Sequence, residues 1–176
     1  MLITRVFKSI YRYIQLKHDS VTFAKKLGVK IGKNVRLLGV SDKTFSSEPY
    51  LVSIDDHVTI TDQVQFITHD GAVWVFREKE EDIEFIRPIK IGNNVFIGYR
   101  TIIMPGVNVG DNVVIGAGSL VISDIPDNSV AAGVPAKVIR SVNEYRNKIE
   151  PFTIKRSWAN EKDKKKILYD HFKIVK

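Results

Sequence analysis

Few side chains in this sequence suit proton transfer near neutral pH, and His69 has the most distinctive setting among them. It stands in Phe66-Ile67-Thr68-His69-Asp70-Gly71, directly before a seventeen-residue stretch, 71–87, that carries the charged run Arg77-Glu78-Lys79-Glu80-Glu81-Asp82. A neutral imidazole takes a proton from a hydroxyl or an amine at physiological pH. Long loops in compact domains are usually functional or disordered, and the position directly after a histidine favours function here. Asp70 is the nearest carboxylate in sequence. Neighbouring side chains on an extended segment point to opposite faces, so it is only a candidate orienting partner, and Asp55, Asp56 and Asp62 stay open beside it. Within the excursion, Trp74 and Arg77 offer an aromatic face that suits the C–H face of a sugar ring and a guanidinium that suits an anionic group. The competing reading is that Trp74 pins the loop to its own chain or to a neighbouring subunit. There is no cysteine, which excludes disulfides, thiolate metal sites and a cysteine nucleophile.

The elements that must hold His69 follow from a period of six. From Ile91 the chain reads IGNNVF, IGYRTI, IMPGVN, VGDNVV, IGAGSL, VISDIP. Ile91, Ile97, Ile103, Val109, Ile115 and Val121 share one position, and Val95, Thr101, Val107, Val113, Ser119 and Ile125 fall four residues later. No helix repeats every six residues, and a strand repeats every two. Three hexads, each one short strand and one corner, close a triangular coil whose inward aliphatic residues stack about 4.7–4.9 Å apart. Gly92, Gly98, Gly110 and Gly116 follow the aliphatic residue and are expected to supply the backbone freedom of the corners. The repeat starts at Ile31 and Leu37, breaks over 41–49, resumes at Ile54, Ile60 and Phe66, and leaves the stack again over 71–87. Regular coiling is expected to stop at Pro126 and Pro135, which donate nothing to a ladder.

This pattern resembles the hexapeptide-repeat acyltransferase family over roughly residues 28–140. The resemblance implies a mainly β fold, a left-handed parallel β-helix, and a homotrimer with acetyl-CoA lying in a groove between neighbouring subunits. It likens His69 to the general base of the family's sugar O-acetyltransferases. Backbone at Gly98, Tyr99, Gly116, Ala117 and Gly118 matches positions that contact the pantetheine arm, and Lys137 and Arg140 match basic positions near the nucleotide phosphates. Tyr99 is bulky where relatives often carry a small residue, and Ile122-Ser123 replaces a common Thr-Lys, so Ser123 brings no charge to a donor position. The activity implied is acetyl-CoA-dependent O-acetylation of a carbohydrate hydroxyl, a cell-surface polysaccharide precursor being one such acceptor. N-acetylation of an amino sugar and a non-catalytic scaffold are the alternatives. No metal is expected, because four histidines at this spacing make no ligand pattern. His57 falls at an outward hexad position, His18 in a linker and His171 in the tail, and all three read as structural.

The remaining segments frame this domain. Residues 1–27 read as a helical cap: an amphipathic helix over 2–15, with Ile3, Phe7, Ile10 and Ile14 on one face, then a short helix over 20–27 capped by Ser20, with Gly28 beyond its end. The first helix fits either a cover for the coil stack or a weak membrane-surface contact. Residues 141–176 form a basic, partly helical tail. Helices are expected over 142–149 and over 161–175, the latter capped by Asn160, with Leu168, His171, Phe172 and Val175 as its apolar face. Eight basic and three acidic residues lie between Lys155 and Lys176, so most of the net charge of +7 sits there. A solvated surface is the ordinary explanation, a membrane surface the other, and nucleic acid is not expected. With no secretory leader in evidence and no long apolar run, the cytoplasm is the expected location.

Overall fold

In the computed structural model, which describes residues 19–41 and 43–174, twelve of thirteen short strands build a parallel β-helix of three faces. The helix expected over residues 2–15 lies outside the described residues. The first face is β1 (Lys30–Ile31), β3 (Val52–Ile54), β6 (Ile89–Ile91) and β9 (Asn108–Val109). The second is β2 (Arg36–Leu37), β4 (Thr59–Ile60), β7 (Val95–Ile97), β10 (Val113–Ile115) and β12 (Ser129–Gly133). The third is β5 (Gln65–Phe66), β8 (Ile102–Ile103) and β11 (Leu120–Val121). All these pairings are parallel, and they align Ile54 with Ile91 and Val109, and Ile60 with Ile97 and Ile115. The inward residues form continuous buried columns. Each such side chain contributes about 1.5–3 kcal/mol by leaving water, so the repeat carries its own driving force.

The break over 41–49 is not a loss of the coil. Thr44 accepts a hydrogen bond from the Phe66 N–H at 2.8 Å, and the Phe45 and Phe66 rings stack at 5.4 Å. Phe45 is fully buried and takes the inward place of the third face one coil below Phe66. The segment is therefore a coil edge with a few extra residues.

The expectation about the corner glycines changes. The glycines that follow the aliphatic residue are needed for close approach, not for a left-handed backbone. A Cβ on Gly98 would lie 2.5 Å from the Ala117 nitrogen, and one on Gly92 would lie 2.8 Å from the Gly110 carbonyl, both backbone atoms of the next coil. The left-handed residue comes three places after the aliphatic one. Between the first and second faces it is Asn34, His57, Asn94, Asn112 and Asn128, each with φ between 55° and 59°. Asparagine tolerates that region best among non-glycine residues. Asn94 and Asn112 donate up the stack at 2.8 and 3.1 Å, and His57 Nδ1 lies 2.8 Å from Asn94 Oδ1, so His57 is a rung of this ladder.

At the far end, Ile125 bridges Val109 and so belongs to the aliphatic column, not to the small position that strict six-residue counting gives it. The last turn is shorter by two residues, because Val121 and Ile125 are only four apart. Coiling also continues past Pro126, through β12 paired with β10. It stops after Pro135, where β13 (Ala136–Ser141) runs back antiparallel to β12 and covers the edge of the second face.

Helix α1 (Ser20–Lys26) is capped by Asp19, which accepts from the Thr22 N–H at 2.9 Å. Ser20, expected as the cap, donates instead to the Leu37 carbonyl, while Gly28 has the positive φ, 103°, of a helix stop. Helix α2 (Val142–Ile149) starts with a reciprocal cap between Ser141 and Glu144. The described residues divide into two compact units, one up to Tyr145 and the other from Arg146 onward. In the second, α3 (Glu161–Phe172) is capped by Asn160 and ends at Lys173 in the left-handed region. Its partly buried residues are Lys164, Ile167, Leu168 and Tyr169, whereas His171 and Phe172 are exposed, so the expected apolar face is rotated. Among the described residues no helix is long and apolar enough to cross a membrane.

Candidate active site

The chain leaves the third face after Phe66, and the neck of the excursion is tied at once. Arg87 N–H donates to the Thr68 carbonyl and Asp70 N–H to the Phe85 carbonyl, both at 2.9 Å, making an antiparallel bridge between His69 and Ile86. His69 is thus held by backbone on a rigid coil edge, while its side chain remains 38% exposed. That combination suits a group that must meet a substrate in a fixed position.

The carboxylate beside His69 is Glu48. Its Oε2 lies 3.0 Å from His69 Nδ1 and accepts from the Thr68 hydroxyl at 2.6 Å, and its side chain is only 17% exposed. Burial by itself would raise the Glu48 carboxyl. The hydrogen bonds from Thr68 and His69, with the attraction of a His69 charge, outweigh it and hold the group below the ordinary glutamate value. An ionised Glu48 can only accept, so Nδ1 carries the proton and Nε2 is left free to accept one. Asp70 does something else: it caps the short 3-10 helix Gly71–Phe76 by accepting from the Ala72 N–H at 2.9 Å.

Neither Glu48 nor Thr68 was among the candidates read from the sequence. The signal was present in the coil register. Phe45 and Phe66 stack in successive coils, and Glu48 and His69 each follow their phenylalanine by three residues. The pair is 21 residues apart instead of the eighteen of three hexads, and that offset hides it from strict six-residue counting.

In the excursion, Trp74 is 72% exposed, so it does not pin the loop to its own coil. Val75, Phe76, Phe85 and Ile86 are exposed with it. Arg77 is committed within the loop: its guanidinium donates to Glu84 and to the Ile83 carbonyl. A fork already occupied in this way offers little to an anionic acceptor.

The donor candidates separate into a line and an outlier. Gly98, Gly116 and Ala132 directly follow the paired inward residues Ile97, Ile115 and Ala131, and Lys137 on β13 lies opposite Ala132. Gly98, Gly116, Ala132 and Lys137 therefore form one row along the coil axis, between the second and third faces. Arg140 sits on the same strand opposite Val130. Gly118 has φ +69° with open space around it, and its N–H donates to the Tyr99 carbonyl at 2.7 Å. Ala117 is exposed, and Tyr99 stands 40% exposed with the Arg100 guanidinium 5.2 Å from its ring centre. Ser123 follows β11 at the opposite edge of the third face, the His69 edge, so it is apart from this row within one chain.

Comparison with known proteins shows what this chain is similar to. Residues 88–123 match the family described as the hexapeptide repeat of succinyl-transferase. Protein CapG of Staphylococcus aureus is 46% identical over 166 residues, covering 94% of this chain and 96% of that protein. Galactoside O-acetyltransferase of Escherichia coli (strain K12) is 49% identical over 98 residues, and this chain spans 47% of its length. A solved galactoside acetyltransferase in complex with coenzyme A superposes with a TM-score of 0.55 at 30% identity, covering 80% of this chain and 82% of that one.

Proposed function

The chain belongs to the hexapeptide-repeat acetyltransferase family, and on that premise we propose that it is an acetyl-CoA-dependent O-acetyltransferase acting on a carbohydrate hydroxyl. The observation that carries this reading is the Thr68–Glu48–His69 chain of hydrogen bonds, which leaves Nε2 as a proton acceptor at the mouth of an aromatic-bearing loop. Acetyl-CoA supplies the activated thioester. His69 takes the hydroxyl proton as the acceptor oxygen bonds to the thioester carbonyl carbon, and the Glu48 carboxylate stabilises the imidazolium that results. The C–S bond then breaks, and coenzyme A leaves as the thiol once its sulfur has the proton back from the imidazolium. Trp74 gives the acceptor ring an apolar surface. The coil is read as left-handed, after the family.

Assembly completes the site. Within one chain His69 and the row from Gly98 to Lys137 lie at opposite edges of the third face. A second chain that presents its row to the first chain's His69 brings base and donor together, and repeating that contact around an axis closes a ring. We read the ring as a homotrimer. Coenzyme A fits the row: Gly98 and Gly116 keep it flat, Gly118 leaves backbone open, and Lys137 and Arg140 stand at its end.

The test is thiol release from acetyl-CoA with a panel of sugars. Release that depends on a sugar hydroxyl is expected, together with a particle of three times the 20.0 kDa chain mass by light scattering. Release only with amino sugars, and only at nitrogen, sinks the O-transfer reading, and a fully active monomer sinks the shared site.

Lys137 and Arg140 give a narrower expectation. Each alanine variant should weaken coenzyme A binding by about 1–2 kcal/mol, as loss of a charge-assisted hydrogen bond does. Calorimetry should show the loss shrinking with added salt and with dephospho-coenzyme A in place of the full molecule. Equal losses for both ligands would mean that neither residue meets the 3′-phosphate.

A further inference from the structure

The charge of this protein is strongly localised. Residues 146–176 hold ten basic and four acidic residues, a surplus of six out of the chain's +7. Within this unit the lysines of α3 divide into two sets. Lys164 is partly buried with Ile167 and Leu168, lies 6.0 Å from the Trp158 ring centre and pairs with Glu161, so that face holds the unit together. Lys162, Lys165 and Lys166 are exposed, and helical spacing puts them on one face with Tyr169 and Phe172. Asp163 borders the hollow beside these lysines, and no ion pair joins it to any of the three among the described residues.

Phe172 is 59% exposed and Ile174, just beyond the left-handed stop at Lys173, is 52% exposed. Lysines for phosphate and apolar side chains to enter the layer beneath are the two components of an interfacial helix. A nucleic-acid backbone would use the lysines and leave Phe172 and Ile174 idle, so the mixed face favours lipid.

We infer that the C-terminal unit docks on an anionic lipid surface through the Lys162–Lys165–Lys166 face of α3, with Phe172 entering the headgroup layer. The inference does not depend on the catalytic reading. It is tested by flotation of the full chain with vesicles of phosphatidylglycerol and, separately, of phosphatidylcholine. Binding to the anionic vesicles alone is expected, weakening as salt is added. The triple variant Lys162→Gln, Lys165→Gln, Lys166→Gln preserves helix propensity and should lower the partition coefficient on the order of a hundredfold. Phe172→Ala should lower it about tenfold. Circular dichroism checks that both variants remain folded. Equal binding to both vesicle types overturns the inference. So does a triple variant that floats like the parent, which would place any lipid contact elsewhere in the chain. Tight binding to a DNA duplex with none to vesicles replaces lipid by nucleic acid and equally overturns it.

Discussion

His69→Ala is expected to slow acetyl transfer by about 10²–10⁴-fold, the usual contribution of a positioned general base. The loss should fall on kcat, because the groups that would hold coenzyme A are the row from Gly98 to Lys137 together with Arg140, and the imidazole is not one of them. Calorimetry on the variant should therefore return a coenzyme A affinity close to the parent's. Thermal stability should also change little, since the imidazole is 38% exposed and fills no core space. Turnover within a few-fold of the parent would remove His69 from the mechanism, and with it the acceptor position beside the loop. Loss of both turnover and coenzyme A binding would instead make it a structural residue.

Glu48→Ala should cost on the order of 10²-fold in kcat, with a smaller effect on KM. The carboxylate does two things at once: it fixes the proton on Nδ1 and it faces the charge that develops on the ring. Alanine removes both. Glu48→Gln keeps an oxygen that can accept from Thr68 and from Nδ1, so it should lose less, about tenfold. The order parent, glutamine, alanine is the outcome to look for, and an alanine variant with parental kcat would end the positioning role. Stability should carry the same signature. The Glu48 carboxyl is held below its ordinary value of 4.5, so its contribution is fully present above that pH and is lost as pH falls through the lower folded value. In Glu48→Gln that part of the acid sensitivity disappears, which melting curves recorded from neutral to acidic pH will show.

The loop gives the sharpest contrast between residue type and residue role. Trp74 and Arg77 look equivalent as acceptor ligands in the sequence. The folded chain leaves Trp74 open and spends Arg77 on Glu84 and the Ile83 carbonyl, seven and six residues away. A short-range partner of that kind depends on how the loop closes, and the loop has no periodicity from which to read it.

What the sequence determined by itself is the coil. An aliphatic residue every six places can be buried continuously only by a chain that turns three times per layer, so Ile91 to Val121 dictated the three faces and the columns within them. The same rule located His69, because a residue three places after the inward Phe66 falls at a corner of the coil. Local rules also placed the Asn160 cap and the stop at Gly28. What only the tertiary structure decided are the relations between coils. Three extra residues between Phe45 and Phe66 bring Glu48 under His69, a contact across 21 positions that depends on ring stacking in the core. Two missing residues before Ile125 and the turn at Pro135 set Lys137 in line with Gly98 and Gly116. A period fixes which way each side chain points, whereas insertions and deletions between periods fix which side chains meet. Those meetings are settled by packing, because interiors fill closely and a stack such as Phe45 on Phe66 holds successive coils in one register.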